Sequence, residues 1–226
     1  MNRYSASKIK TFETCRLQFK LHYIENIEVE KPVSPDTEFG SLIHKAAEIY
    51  NGSNLTEVVK LTRDYHLNEA YKREIAHTLR NLFVFSQKYK HVDEKRELEI
   101  EWKTDDIWLY GFADKLIDNN QLICIDYKTA KYADTSRFMF QMRLYNLILS
   151  HVYQKDPDKI RFVVYFPRID TEEKILFSKK EIILFESDIR KKITTIESNT
   201  DWNPAPGYHC RWCQYCKGTN CDVGKC

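Results

Sequence analysis

The chain has 226 residues, 42% of them hydrophobic and 30% charged, and a formal net charge of +2, which is enough to bury a full core and ordinary for a soluble protein. No run approaches the roughly 18 apolar residues of a membrane span, and the N-terminus MNRYSASKIK lacks the apolar segment of a secretory signal. So small a net charge rules out reading a nucleic-acid partner from global electrostatics; any such surface must be a local patch. The expected location is the cytoplasm.

Residues 4–27 predict a short helix capped by Ser5 or Ser7, then Cys15, then a second helix with Phe19, Tyr23 and Ile27 as a core stripe. Taken alone, Cys15 reads as a small buried hydrophobe. Pro32 and Pro35 break the chain. Phe39 to Glu48 then open a helix with Leu42, Ile43, Ala46, Ala47 and Ile49 as its apolar face, and His44 beside that stripe reads by default as a core or boundary histidine. Asn54 to Tyr89 predicts two helices, the first with Asn54 and Glu57 at capping-box spacing. They complete a solvated helical lobe spanning about 30–95. Glu97 to Trp102 alternates as the first strand, with Leu98, Ile100 and Trp102 on one face and Glu97, Glu99 and Glu101 on the other.

The central stretch is Trp108 to Thr129, WLYGFADKLIDNNQLICIDYKT. It predicts two strands joined at Asp118, Asn119 and Asn120, whose short side chains suit a tight turn. The second strand is Leu122, Ile123, Cys124 and Ile125, followed abruptly by Asp126-Tyr127-Lys128. Alternation puts Asp126 and Lys128 on one face, and folding the hairpin brings Asp114 nearly opposite Asp126. Charged residues at a strand end are usually solvated, and an exposed Asp–Lys pair contributes roughly 0–1 kcal/mol. Two carboxylates forced together after a buried run repel, however, and a divalent cation relieves that repulsion. Cys124 reads as structural.

Asp134, Thr135 and Ser136 offer N-caps for a long helix buried along Phe138, Met142, Tyr145, Leu149 and Val152, with Gln141 and Tyr145 four apart on one face. Lys159 to Ile169 predicts a strand, Lys174 to Ser178 another, and Ser187 or Asp188 starts a helix through Ile196. Arg190, Lys191 and Lys192 share one turn of it, as a solvated basic face or a grip for phosphate. Five of the seven cysteines fall in the last 17 residues. Without a signal sequence, that clustering favours a soft metal over disulfides. Cys210, Cys213, Cys216, Cys221 and Cys226 can hold zinc locally or join a larger centre. The stretch ending in Gly224-Lys225 exceeds P-loop spacing by one residue and ends in Cys226 where Ser or Thr is required, so no ATPase motor is expected.

Gly111-Phe112-Ala113-Asp114 followed by Ile125-Asp126-Tyr127-Lys128-Thr129 resembles the core of the PD-(D/E)XK nucleases, with Ala113 in place of the nominal proline. The RecB-like branch is the most similar: the nuclease domains of RecB and AddB, and the CRISPR-associated spacer-acquisition nucleases with an iron–sulfur cluster. The resemblance runs in order through Cys15, His44, Asp114, Asp126-x-Lys128, Gln141-x-x-x-Tyr145 and the cysteine tail. It implies an α/β restriction-endonuclease-like fold: one domain over 1–226, with a central mixed sheet flanked by helices, a nuclease core at about 96–200, and a tail at 201–226 that pairs with Cys15. It implies Mg²⁺ or Mn²⁺ held by His44, Asp114, Asp126 and the Tyr127 backbone carbonyl, with Asp114, Asp126 and Lys128 catalytic and Gln141 and Tyr145 positioning DNA. A [4Fe–4S] cluster on Cys15, Cys210, Cys213 and Cys221 is implied too, with Cys216 as the alternative to Cys221 and zinc as the alternative metal. The implied activity is exonucleolytic cleavage of single-stranded DNA or DNA ends in recombination, phage or CRISPR-adaptation settings, in the host cytoplasm if phage-encoded. The rival readings are a non-catalytic DNA-binding or assembly subunit and a zinc-binding module.

Overall fold

In the computed structural model, which describes residues 2–29, 34–65, 69–216 and 221, the predicted strands assemble into one five-stranded sheet. Its strands are β1 (Glu94–Lys103), β2 (Trp108–Asp118), β3 (Leu122–Tyr127), β4 (Ile160–Phe166) and β5 (Thr171–Ile175), ordered β1-β2-β3-β4-β5. The β2–β3 hairpin is antiparallel, β3 and β4 are parallel, and β4 and β5 are antiparallel. A parallel pair needs a long crossover, which α6 (Met139–Val152) supplies while packing on β4. The fold is α/β, a mixed sheet flanked by helices, as the restriction-endonuclease-like expectation required. The Pro32 break and the P-loop-like end at Gly224-Lys225 with Cys226 lie outside the described residues.

Two compact units divide the chain. The first comprises Val33–Glu101 and Gly111–Ile182. Here the hairpin register pairs Lys115 with Ile125 and Ile117 with Ile123, and β3 sets Ile125 beside Val163 and Tyr127 beside Tyr165. That face packs against Phe39, Leu42, Ile43 and Ala46 of α3 (Pro35–Ile49) and Leu79, Leu82 and Phe85 of α5 (Glu69–Lys88). Phe85 lies flat on Tyr165, ring centroids 3.7 Å apart.

Helix α3 starts earlier than the apolar pattern suggested. Ser34 caps it by accepting from the Thr37 amide at 3.2 Å, with Pro35 in the first turn, where its missing N–H has no cost. Its C-terminal carbonyls are collected by Arg96, whose Nη1 donates to Glu48 O at 2.9 Å and to the carbonyls of Ala47 and Tyr50. A guanidinium there satisfies orphan acceptors and complements the helix dipole. Glu94 holds that guanidinium and also the ammonium of Lys115, 2.6 Å away and 2% exposed. Burial pulls the Lys115 ammonium below its usual range, and Glu94 opposes that. Glu94→Ala strands a buried charge, so urea denaturation should show a loss of about 3 kcal/mol or more.

Three other expectations are corrected. Asn54 does not cap α4 (Leu55–Leu61) with its side chain; its Nδ2 donates to Glu57 Oε2 at 2.9 Å and Ile49 O at 2.9 Å instead. The strand placed at 174–178 is β5, three residues earlier and partnered with β4. Helix α7 (Lys179–Glu197) begins well before Ser187, at a capping box in which Ser178 Oγ accepts from the Glu181 amide and Glu181 Oε2 from the Ser178 amide.

The second unit comprises Met1–Pro32, Trp102–Tyr110 and Ile183–Cys226. Ser5 caps α1 (Ala6–Thr14), and Cys15 separates it from α2 (Arg16–Phe19), which runs on as a π turn over Lys20–Ile24. Tyr4 bridges to Leu109, its amide donating to Trp108 O at 2.8 Å. The basic turn of α7 is occupied: Arg190 binds Glu186 and Asp106, and Lys192 binds Glu13 and Asp188.

Candidate active site

The β2–β3 ladder runs regularly as far as Lys115 opposite Ile125 and then stops. Beyond that pair, the Asp114 carboxylate does what a backbone carbonyl would do, its Oδ2 accepting the Tyr127 amide at 2.6 Å. Its Oδ1 lies 3.3 Å from His44 Nδ1, which α3 brings to the end of the hairpin. Burial pulls the His44 imidazole down, but the hydrogen bond and charge of Asp114 outweigh it, and the net shift is upward. The Tyr127 ring meanwhile is buried in the aromatic core, edge-on to Phe85 at 6.1 Å.

Glu97 completes this group. One ligand atom each from His44, Glu97 and Asp114 lie within 4.8 Å of one another. Strand alternation grouped Glu97 with Glu99 and Glu101 and so missed it. The backbone at Glu97 is left-handed, φ 44°, yet the burial alternation of β1 runs through it, with Glu97, Glu99 and Glu101 all exposed; it is the approach of His44 and Asp114 that sets Glu97 apart. Burial and the charge of Asp114 push its carboxyl upward.

Asp126 is 3% exposed. Its Oδ1 accepts from Gln141 Nε2 at 3.3 Å, and its Oδ2 lies 2.7 Å from Lys128 Nζ yet receives no hydrogen bond of good angle. Burial pushes its carboxyl up to about 6, with Asp114 adding to the rise and Lys128 opposing it. The trio of His44, Glu97 and Asp114 suits a hard divalent cation, and Asp126, expected as a ligand, is not among the mutually close donors, although its Oδ2 is an under-satisfied buried carboxylate oxygen. The chain's donors thus fit such an ion.

Gln141 and Tyr145 behave as the four-residue spacing on α6 predicts. Gln141 Nε2 reaches Tyr145 Oη at 2.9 Å, and Gln141 Oε1 lies 3.5 Å from Lys128 Nζ. Tyr145 Oη donates to Phe112 O at 2.8 Å and accepts from its amide at 3.2 Å, tying α6 to the strand carrying Asp114. Gly111 makes room for that ring, since a Cβ there would fall 2.2 Å from Tyr145 Cε1. Cys124 is fully buried, and burial raises its thiol pKa, as a structural cysteine requires.

In the other unit, Cys15, Cys210, Cys213 and Cys221 line a common cavity. Cys216 lines it too but is disulfide-bonded. Amide N–H groups point at two of the sulfurs, Gln18 N at Cys15 Sγ (3.5 Å) and Gly207 N at Cys210 Sγ (3.4 Å).

A profile of the PD-(D/E)XK nuclease superfamily matches residues 3–217. The chain belongs to that superfamily. Superfamily membership brings a nucleic-acid substrate and divalent-metal chemistry. A crystal structure from Eubacterium rectale, described as that of a candidate exonuclease, superposes with a TM-score of 0.58 at 12% identity, covering 94% of this chain and 86% of that one. The crystal structure of SSO0001 covers 95% of this chain and 84% of its own at 15% identity, with a TM-score of 0.43. At such identities the likeness is one of fold. No curated protein matches the sequence. No helix among the described residues is long and apolar enough to cross a membrane.

Proposed function

We propose that this PD-(D/E)XK nuclease is a Mg²⁺- or Mn²⁺-dependent exonuclease of the RecB-like branch, acting on single-stranded DNA or DNA ends. The observation that carries the catalytic part is the break in the β2–β3 ladder. There Asp114 is fixed by the Tyr127 amide, His44 and Glu97 stand within ligand reach of it, and Asp126-x-Lys128 continues the neighbouring strand. His44, Glu97, Asp114, Asp126 and the Tyr127 carbonyl would hold the cation. When bound, it polarises the scissile phosphate and acidifies a water. Lys128 gives up Asp126 to orient that water and offset the growing negative charge. Gln141 couples Lys128 to Tyr145, so strand position and ammonium position are set together. The exonuclease assignment draws on the description of the Eubacterium rectale neighbour. A time course on end-labelled strands with and without Mn²⁺ tests it, and laddered internal products from circular DNA would refute it. Glu97→Gln should weaken Mn²⁺ binding by calorimetry about tenfold or more, whereas a merely solvated Glu97 would leave the isotherm unchanged.

The gathering of Cys15, Cys210, Cys213 and Cys221 around one pocket of about 10 Å³ supports a [4Fe–4S] cluster on these four, which would move apart to admit it and staple distant parts of the chain. Amide donors on two sulfurs suit thiolate ligands, and the disulfide at Cys216 favours Cys221 as the fourth. Anaerobic purification should give coloured protein with four iron per chain; a colourless protein with one zinc would replace the cluster by a zinc site.

A further inference from the structure

In the unit that contains the N-terminal helices, a cavity of about 370 Å³ opens between α1, the π turn and the end of α7. That volume lies within the roughly 300–1,000 Å³ of small-molecule sites. Neither the Asp–Lys site nor the cysteine cavity uses it.

Its walls are aromatic. Trp202 lies parallel to Phe19 (4° between planes, centroids 6.2 Å apart), and Tyr23 tilts against Phe19 at 5.2 Å. Phe19 is buried, whereas Tyr23 and Trp202 are half-exposed and present ring surface to the cavity. One cation sits among them: Lys8 Nζ, 4.8 Å from the Tyr4 ring centroid and 5.4 Å from that of Tyr23. Its hydrogen bond goes to a carbonyl, Arg3 O at 3.1 Å, and among the described residues it forms no ion pair. Burial lowers its pKa. Glu197 also lines the cavity, accepting from Tyr4 Oη at 3.3 Å and close enough for its charge to oppose the burial of Lys8, and Asn199 adds an amide.

An apolar peptide or lipid chain would desolvate Lys8 and Glu197 without replacing their partners. A bare phosphate would satisfy Lys8 and leave the rings and Glu197 unused. A nucleotide uses all of them: phosphate for the ammonium, a base face for the rings, and base N–H groups for the carboxylate. We propose that this cavity binds one unstacked nucleotide, with its phosphate at Lys8, its base against Tyr23 and Trp202, and its N–H edge toward Glu197. The source, a nucleotide within a DNA strand or a released mononucleotide, rests on the nuclease reading; the site itself does not.

Binding is measured without divalent cation, in EDTA, so that cleavage plays no part. Anisotropy of a short fluorescein-labelled single strand should show Lys8→Met and Tyr23→Leu each weakening affinity about tenfold. Deoxyguanosine monophosphate should quench tryptophan fluorescence in the parent and not in Trp202→Phe. Weakened strand binding without mononucleotide quenching assigns the site to the strand; quenching as well admits the free product. Unchanged strand affinity in both variants together with no quenching overturns the proposal, as does inorganic phosphate competing as well as the mononucleotide. Tyr23→Leu alters a half-exposed ring, so its thermal midpoint verifies folding and keeps the test readable if Lys8→Met fails to fold. Cleavage assayed in parallel with Mn²⁺ separates the two ideas, since absent cleavage with intact nucleotide binding defeats only the nuclease reading.

Discussion

Asp126→Asn and Lys128→Met should each lower Mn²⁺-dependent DNA cleavage by at least about a thousandfold while leaving the fold intact. The two side chains lie 2.7 Å apart on the same strand end, and each has a role the other cannot take over. On the proposed assignment, Asp126 would contribute a hard oxygen ligand and Lys128 a positive charge that moves with the reaction. If either variant retained near-parental cleavage, the site would lie elsewhere. The same carboxylate gives the metal-free protein a pH signature. Its folded pKa of about 6 exceeds the ordinary 3.8 because burial disfavours the anion. A raised acid contributes stability that is fully present below pH 3.8 and is lost as pH rises through about 6. His44, also raised, contributes with the same sign at higher pH. Metal-free protein should therefore melt earlier at pH 8 than at pH 5, and Asp126→Asn should flatten that slope. Mn²⁺ needs the deprotonated ligands, so its affinity should fall below about pH 6 and its binding at pH 7 should release protons. A metal-free melting profile that rises steadily from pH 5 to pH 8 would contradict the burial of Asp126.

The parts of this site that a hairpin fixes could be read directly from the residues. Turn chemistry at Asn119-Asn120 determines the register, and the register carries Asp114 just past the last pair, Lys115 with Ile125, to the end of the strand that bears Asp126. Gln141 and Tyr145 were equally readable, because four residues on a helix is one face. Glu97 was not, since alternation rightly puts it on the exposed face with Glu99 and Glu101, and only tertiary packing brings His44 and Asp114 within ligand reach of it. Arg96 was silent for another reason: the carbonyls it collects belong to α3, some 46 to 49 residues away, and only tertiary packing brings them together. The early start of α7 was legible and missed, for Ser178-Lys179-Lys180-Glu181 is a capping box in plain spelling. The meeting of Cys15 with the C-terminal thiols could be read only through family resemblance, because spacing alone allowed a purely local metal site.

Gly111→Ala should cut cleavage about a hundredfold and cost about 1–3 kcal/mol of stability, although the residue touches neither ion nor phosphate. A methyl group there would stand 2.2 Å from Tyr145 Cε1 and 2.9 Å from Cζ, far inside contact distance. The ring cannot simply swing aside, because its hydroxyl is bonded to both the amide and the carbonyl of Phe112 and to Gln141. Moving it breaks those three bonds and frees Gln141, which otherwise contacts both Asp126 and Lys128. The backbone at Gly111 is not left-handed, so the penalty is steric and not conformational. That distinction is measurable in a double-mutant cycle. Tyr145→Ala removes the obstructing ring, so adding Gly111→Ala to it should cost little further stability. Tyr145→Phe keeps the ring but loses the bonds that pin it, so the same addition should cost less than in the parent and more than in the alanine background. Additive costs in the alanine background would mean that Gly111 serves backbone flexibility instead of making room for the tyrosine.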